Sequence, residues 1–179
     1  MYIVKKLTHH YLVMLFANTC FCLPALVHAA NPSATTVSVT IPAIVQISGL
    51  SDITLTPTNF SVPVTGSATA CIYTNVINPL GSYYITATSS NAISGTFRAI
   101  NGANYLSFNA FWNSTSSPTQ ATPLTSGIKS TQQTGGNGSS LTCSGTPNAN
   151  FNISISNIQL AGVSAATYTD TVTLLVSPS

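Results

Sequence analysis

Near its C-terminus the chain reads Thr171-Val172-Thr173-Leu174-Leu175-Val176, and this stretch decides the fold class. Val172, Leu174 and Val176 occupy every second position of the stretch, and two of its other three residues are threonines. Successive side chains of a β-strand point to opposite faces of the sheet. The alternation therefore predicts a strand that buries one face.

Short segments rich in β-branched and aromatic residues recur through the rest of the chain, each bounded by turn residues. The predicted strands are Thr36–Ile41, Ile44–Ser48, Ala70–Thr74, Ser82–Thr88, Gly95–Ile100, Asn104–Trp112, Ser139–Cys143, Phe151–Ile155 and Thr167–Val176. A further strand is predicted near Leu124–Ile128, and Asn101-Gly102 predicts a tight hairpin. No helical period separates these segments, so the sequence predicts an all-β, antiparallel sandwich or barrel.

Charged residues are almost absent from the chain. They make up 3% of its 179 residues, as four Lys or Arg and two acidic residues, where an average soluble protein carries about a quarter. Four basic side chains cannot form the dense patch that displaces counterions from nucleic acid. We therefore predict no nucleic-acid partner, and the length fits one domain with a real core.

The first thirty residues have the three parts of a secretory signal peptide. Two lysines precede the apolar stretch Tyr11–Val27, and the small residues Ala29 and Ala30 offer cleavage positions. The apolar stretch falls short of the roughly 20 residues that span a bilayer, which disfavours a retained membrane anchor. We predict a signal helix over 1–30 and export through the Sec pathway to the periplasm. A single domain over 31–179 would follow, with no membrane span after cleavage.

Two cysteines, Cys71 and Cys143, remain after such a cleavage, and no histidine does. In an oxidising compartment an isolated pair most simply forms one disulfide. Two buried thiols or a metal site are the alternatives, but without His or Glu a zinc ion lacks ligands. We therefore predict a disulfide, no metal and no cofactor.

Catalysis has few candidate residues in the mature chain. A Ser-His-Asp triad is impossible without histidine, and only Asp52 and Asp170 could form a carboxylate pair. Asp52 follows a turn-like Gly-Leu-Ser, and Asp170 lies among threonines at the predicted final strand. Turn capping and a structural hydrogen bond explain the two aspartates, so we predict that the protein is not an enzyme.

The segment 31–42 is predicted to be an N-terminal extension or a first strand. Within it Val37, Val39 and Ile41 alternate with small hydroxyl residues, and no charge interrupts them. Such a segment could pair inside its own domain, or it could add to a sheet edge of a neighbouring subunit. The residue pattern favours pairing within the domain but leaves both alternatives open.

Several motifs follow one another through nearly all of the mature chain. They are Thr36–Ile41, Ala70–Tyr73, Gly81–Thr88, Asn109–Asn113, Leu124–Gly127, Cys143 and Ala165–Val176. In this order they resemble the secreted spore coat U-like domains, which are related to subunits of the archaic chaperone–usher pili of Gram-negative bacteria. The last motif is the most specific, because Tyr168 and Asp170 precede an alternating strand.

This resemblance implies a pilin-type, immunoglobulin-like β-sandwich with Greek-key connections that lacks its last strand. It also implies three kinds of partner: a periplasmic chaperone, an outer-membrane usher and like subunits. The chaperone, and then the N-terminal extension of the next subunit, would fill the groove that the missing strand leaves.

Two functions therefore stay open. The first is a structural or adhesive subunit of a bacterial surface fibre, a fimbrium, assembled by donor-strand complementation through Val37, Val39 and Ile41. The second is a stand-alone secreted β-sandwich that binds glycans or host surfaces. Many subunits of the family carry a cysteine near the end of the first strand, where this chain has Ile44 and Val45. That departure keeps the stand-alone alternative open.

Overall fold

A computed structural model describes residues 35–179, and its regular elements are almost all antiparallel β-strands. The strands are β1 Val45–Ser48, β2 Val64–Thr74, β3 Tyr83–Ser89, β4 Phe97–Asn101, β5 Asn104–Asn113, β6 Thr122–Leu124, β7 Ala149–Ile155 and β8 Val172–Pro178. A 3₁₀ turn at Cys143–Gly145 and the short helix α1, Asn157–Ala161, complete the elements. The prediction of an all-β antiparallel fold is confirmed.

The chain divides after Val39. Residues 40–179 form one compact unit, and of the other unit only residues 35–39 are described. In the compact unit, the larger sheet has the order β1-β2-β7-β5-β4, with β6 also paired to β5. Strands β3 and β8 form a second, two-stranded sheet.

The outer edge of β3, opposite β8, is covered by the segment 127–133. Ser130 N–H donates to the Ile85 carbonyl at 2.8 Å, and Gln133 N–H donates to the Tyr83 carbonyl at 2.8 Å. This segment is irregular, but its main chain takes up groups that an uncovered edge would leave to solvent.

One hydrophobic core joins the two sheets, and Trp112 lies in it with no exposed surface. Its Nε1–H donates to the Tyr83 hydroxyl at 3.0 Å, and the two rings meet edge to face with centroids 6.5 Å apart. The single indole donor is thus satisfied inside the core, which burial of a tryptophan requires.

Tyr83 provides a test of this core contact. Burial raises the pKa of the Tyr83 phenol above its ordinary value near 10, although hydrogen bonds with Ser114 and Trp112 oppose the rise. As pH rises, the Tyr83 phenol therefore ionises in the unfolded chain before it ionises in the folded protein. Its contribution to the free energy of unfolding is full below about pH 10 and is lost as pH rises through the pKa of the folded state. Tyr83→Phe leaves the buried Trp112 donor unpaired and should lower the free energy of unfolding by about 1–3 kcal/mol at pH 7.

Urea unfolding at pH 7 and above pH 10 checks this expectation. The difference between wild type and Tyr83→Phe should narrow at the higher pH, since only wild type carries the buried phenol. Tyr84→Phe is the matched control, because Tyr84 is only half-buried. A difference that stays constant with pH would contradict the assignment.

The predicted hairpin at Asn101-Gly102 is confirmed, with a shift of one position. Asn101 pairs with Asn104, so the two turn residues are Gly102 and Ala103. Gly102 has a φ of 57°, and a glycine at the first central position is typical of the type II′ turn.

The other predicted strands are present with shifted bounds, except for three. The strand predicted near Leu124–Ile128 shares only Leu124 with β6, because Ser126 and Gly127 form a turn. The strand predicted at Thr36–Ile41 is wrong for the described chain, where residues 35–44 form no strand. The predicted strand Ser139–Cys143 is also wrong. There Asn137 Oδ1 accepts from the N–H groups of Ser139 and Ser140, both at 2.8 Å. Local bonds from a side chain to the backbone compete with strand pairing.

Candidate functional site

Strand β8 pairs with another strand, β3, along only one of its two hydrogen-bonding edges. The Thr171 carbonyl accepts from Ser90 N–H at 2.9 Å, which places the main chain of Thr171 on the β3 side. Main-chain groups alternate between the two edges of an antiparallel strand. Those of Val172, Leu174 and Val176 therefore point away from β3, and no ladder within residues 35–179 takes them up.

Strand β1 has an open edge of the same kind. The Ile44 carbonyl accepts from Asn75 N–H at 3.2 Å, and the ladder to β2 continues from this pair. By the same alternation, the main-chain groups of Val45 and Ile47 face away from β2. No pairing in the described part of the chain uses this second edge of β1.

The two open edges lie next to each other. Cα atoms of β1 and β8 approach within 8 Å, although no ladder joins the strands. The inward side chains of both strands pack against the core but stay half-buried, whereas Ile72 of β2 and Ile85 of β3 are fully buried. We name this site the β1–β8 seam and define it by Val45, Ile47, Val172, Leu174 and Val176.

Two further apolar residues reach the core after β1 ends. A Cβ atom at Gly66 of β2 would lie 2.5 Å from Ile53 Cγ2 and 2.7 Å from Leu55 Cδ2, so both side chains cover the core face of β2 there. Both are half-buried. Sequence reasoning missed them, although the alternation in Ile53-Thr54-Leu55-Thr56 is the signal that could have found them.

The predicted donor residues are strongly exposed. Val37, Val39 and Ile41 are 81%, 80% and 77% exposed, and residues 35–44 form no strand. Burial of such side chains is favourable by about 25 cal/mol per Å² of apolar surface. Because Val37, Val39 and Ile41 stay exposed, contacts within residues 35–179 provide little of this stabilisation.

The predicted disulfide is confirmed. Cys71 and Cys143 are bonded with an S–S distance of 2.02 Å and Cα atoms 5.8 Å apart, across 72 positions of sequence. The bond ties β2 to the 3₁₀ turn. The predicted cleavage positions Ala29 and Ala30, and the whole signal peptide, lie outside the described residues.

The two aspartates have different surroundings. Asp52 is exposed, whereas Asp170 Oδ1 accepts from Ser90 Oγ and from Asn91 Nδ2, both at 2.9 Å. Asp170 thus fixes the connection that follows β3. Among residues 35–179, no three His, Cys, Asp or Glu side chains are grouped so that they could hold a metal ion. The same residues include no helix long and apolar enough to cross a membrane.

No family model matches the chain, and no curated protein matches it significantly. The structure is similar to one chain of a solved structure, described as a chaperone–tip adhesin complex vital for synergistic activation of CFA/I fimbriae biogenesis. The two share 18% identity with a TM-score of 0.50, over 75% of this chain and 41% of that chain. This chain thus spans less than half the length of its neighbour, and the likeness is one of fold.

Proposed function

We propose that this chain is a subunit of a bacterial surface fibre assembled by donor-strand complementation. The N-terminal segment of one copy occupies the β1–β8 seam of another, with Val37, Val39 and Ile41 facing its core. A periplasmic chaperone covers the seam before assembly, and an outer-membrane usher exchanges the chaperone for the next subunit. The pair of adjacent open edges, β1 and β8, is the observation that carries this proposal.

The strand order supports an immunoglobulin-like sandwich that lacks one strand. In such sandwiches one sheet has the order A-B-E-D and the other holds C, F and G. The order β1-β2-β7-β5 and the pair β3-β8 correspond to A-B-E-D and C-F. Under this assignment β8 is the F strand, and no strand of residues 35–179 takes the place of G. A donor strand in the seam would take that place, with Greek-key connections around it.

The chemistry of the extension fits the seam. A strand added along β8 would pair its main chain with the open groups of Val172, Leu174 and Val176. Two strands that flank a third lie about 9.6 Å apart, so β1 would move away from β8 to pair with the same donor strand through Val45 and Ile47. Burial of the three donor side chains contributes roughly 1.5–3 kcal/mol each. With only four charged side chains after residue 30, charge repulsion between copies is weak.

The neighbour's part in fimbriae biogenesis supports the same proposal, as does the signal peptide expected at 1–30. Export through the Sec pathway would bring the chain to the periplasm and then to the cell surface. We propose no catalytic activity for it, because the chain after residue 30 has no histidine and Asp170 is held by hydrogen bonds from Ser90 and Asn91.

Deletion of Asn31–Ile41 tests the proposal. The truncated chain should bind chaperone as a monomer and form no fibres, because it keeps an acceptor seam but has no donor segment. The measurement is electron microscopy of the cell surface together with size-exclusion chromatography of the periplasmic fraction.

A pair of full-length variants separates the two faces of the segment. Val37→Ser with Val39→Ser should reduce fibre formation as the deletion does, while Ser38→Thr with Thr40→Ser should leave it unchanged. Normal assembly of the truncated chain would overturn the donor-strand proposal. An exported chain that folds alone and stays monomeric would favour the stand-alone glycan- or surface-binding alternative.

A further inference from the structure

The strand directions give the compact unit two distinct ends. At one end, which we call the entry end, Val45 pairs with Thr74 and Tyr83 pairs with Pro178. At the opposite end β2 begins at Val64, β3 finishes and β8 starts. Strand β8 therefore runs from the opposite end toward the entry end, and β1 runs the other way.

The N-terminal segment leaves from the entry end. Asn75, just after β2, donates from Nδ2 to the Pro42 carbonyl at 2.9 Å. Its Oδ1 accepts from Ile44 N–H at 2.7 Å. These bonds fix the point from which the extension must reach another copy.

The turn at the entry end exposes two large apolar side chains. Ile77 and Leu80 are 80% and 75% exposed, and residues 75–82 include no charged side chain. Main-chain bonds from Gly81 N–H to Val76 at 2.9 Å and from Ser82 N–H to Pro79 at 3.2 Å hold the turn. The two apolar side chains are thus presented on an ordered loop rather than on a loose one.

The opposite end also exposes apolar side chains. Phe60 and Val62, which precede β2, are 55% and 50% exposed, and Ile93, which follows β3, is 57% exposed. Ile93 and Thr96 exchange main-chain hydrogen bonds of 3.3 and 3.0 Å, which hold that turn. Both ends of the unit therefore present apolar side chains to solvent.

A strand that completes an antiparallel sheet beside β8 must run from the entry end toward the opposite end. The C-terminal end of a docked donor segment then lies at the acceptor's opposite end. From there the chain continues directly into the donor copy's own entry end, through Pro42 and Ile44. This direction brings unlike ends of successive copies together.

We propose that successive copies contact head to tail, with Ile77 and Leu80 of the donor copy packed against Phe60, Val62 and Ile93 of the acceptor copy. This inference rests on the proposed function and adds a second contact to the donor strand. A donor parallel to β8 would instead bring two entry ends together. The residues that meet between two copies therefore show whether the donor strand runs antiparallel or parallel to β8.

Cysteine cross-linking of assembled fibres tests the contact. The double variant Leu80→Cys with Ile93→Cys, treated with a short bis-maleimide, should give a ladder of cross-linked oligomers on denaturing gels. Each single variant should give none. The matched control is Leu80→Cys with Leu175→Cys, because exposed Leu175 pairs with Thr86 in the middle of β8 and β3. Cys71 and Cys143 do not react because they are bonded to each other.

Each result has one interpretation. Fibres without a ladder, or cross-linked dimers from Leu80→Cys alone, overturn the head-to-tail contact and leave the donor strand standing. Absence of fibres from wild type as well overturns the proposed function, and the inference with it.

A second measurement does not depend on the geometry of cross-linking. Ile77→Ser with Leu80→Ser should raise the rate at which fibres dissociate in mild denaturant by at least about tenfold, while Leu175→Ser should not change it. Equal rates for the two variants would overturn the contact.

Discussion

An exported chain that carries Leu174→Asp is expected to form no fibres, whereas Leu175→Asp should assemble like wild type. The two leucines are neighbours on β8 and point to opposite faces of the strand. Leu174 is half-buried at the β1–β8 seam, and Leu175 is 64% exposed. The same substitution at adjacent positions therefore separates the seam from the solvent face.

The size of this effect follows from desolvation. A donor strand over the seam would bury the new carboxylate without a partner, and such burial costs several kcal/mol. That cost corresponds to at least about a hundredfold loss of docking affinity. The milder Leu174→Ser should give an intermediate loss, which guards against a folding defect of the aspartate variant.

Fibre length by electron microscopy and chaperone-bound monomer by size-exclusion chromatography are the readouts. Assembly of Leu174→Asp at the wild-type level would show that the seam is not where copies join. Loss of assembly in Leu175→Asp as well would point to a general defect of β8 rather than to the seam.

Replacement of both Cys71 and Cys143 by alanine should lower the free energy of unfolding by about 4 kcal/mol. The bond closes a loop across 72 positions, and in the chain-entropy model a loop of this size gives about that value. Both cysteines are buried, at 5% and 4% exposure, so the substitution also removes a few packing contacts. The disulfide thus contributes a large share of the free energy of unfolding, which is about 5–15 kcal/mol for a typical domain.

Urea unfolding of the purified chain with and without reductant checks this value. Reductant should destabilise wild type by about as much as the double substitution does and should leave the double variant unchanged. A loss below about 1 kcal/mol would mean that the 3₁₀ turn is held mainly by its own hydrogen bonds.

The fold class was predictable because the chain carries its strand signal locally. Alternation in Val172–Val176 predicts the face that β8 buries, and Asn101-Gly102 predicts the hairpin before any partner is known. Ser139–Cys143 misled the prediction, because side chains of asparagine and serine bond the local backbone there. The disulfide followed from the number of cysteines and the expected compartment.

The seam was harder to predict. Alternation shows which face of a strand is buried, but it does not show which edge lacks a partner. The open edge of β8 depends on its pairing with β3, which is distant in sequence, and on the adjacency of β1. The roles of Ile77 and Leu80 likewise depend on the end of the fold at which their turn lies.

The irregular segment 127–133 along the outer edge of β3 has a consequence for the shape of any assembly. It blocks that edge, so a further strand can extend the small sheet only along β8. In the proposed donor-strand assembly, each copy has one donor segment and one acceptor seam, so it joins two other copies. Units that each join two others form unbranched filaments. Under this proposal, the segment beside β3 would therefore restrict growth to one dimension.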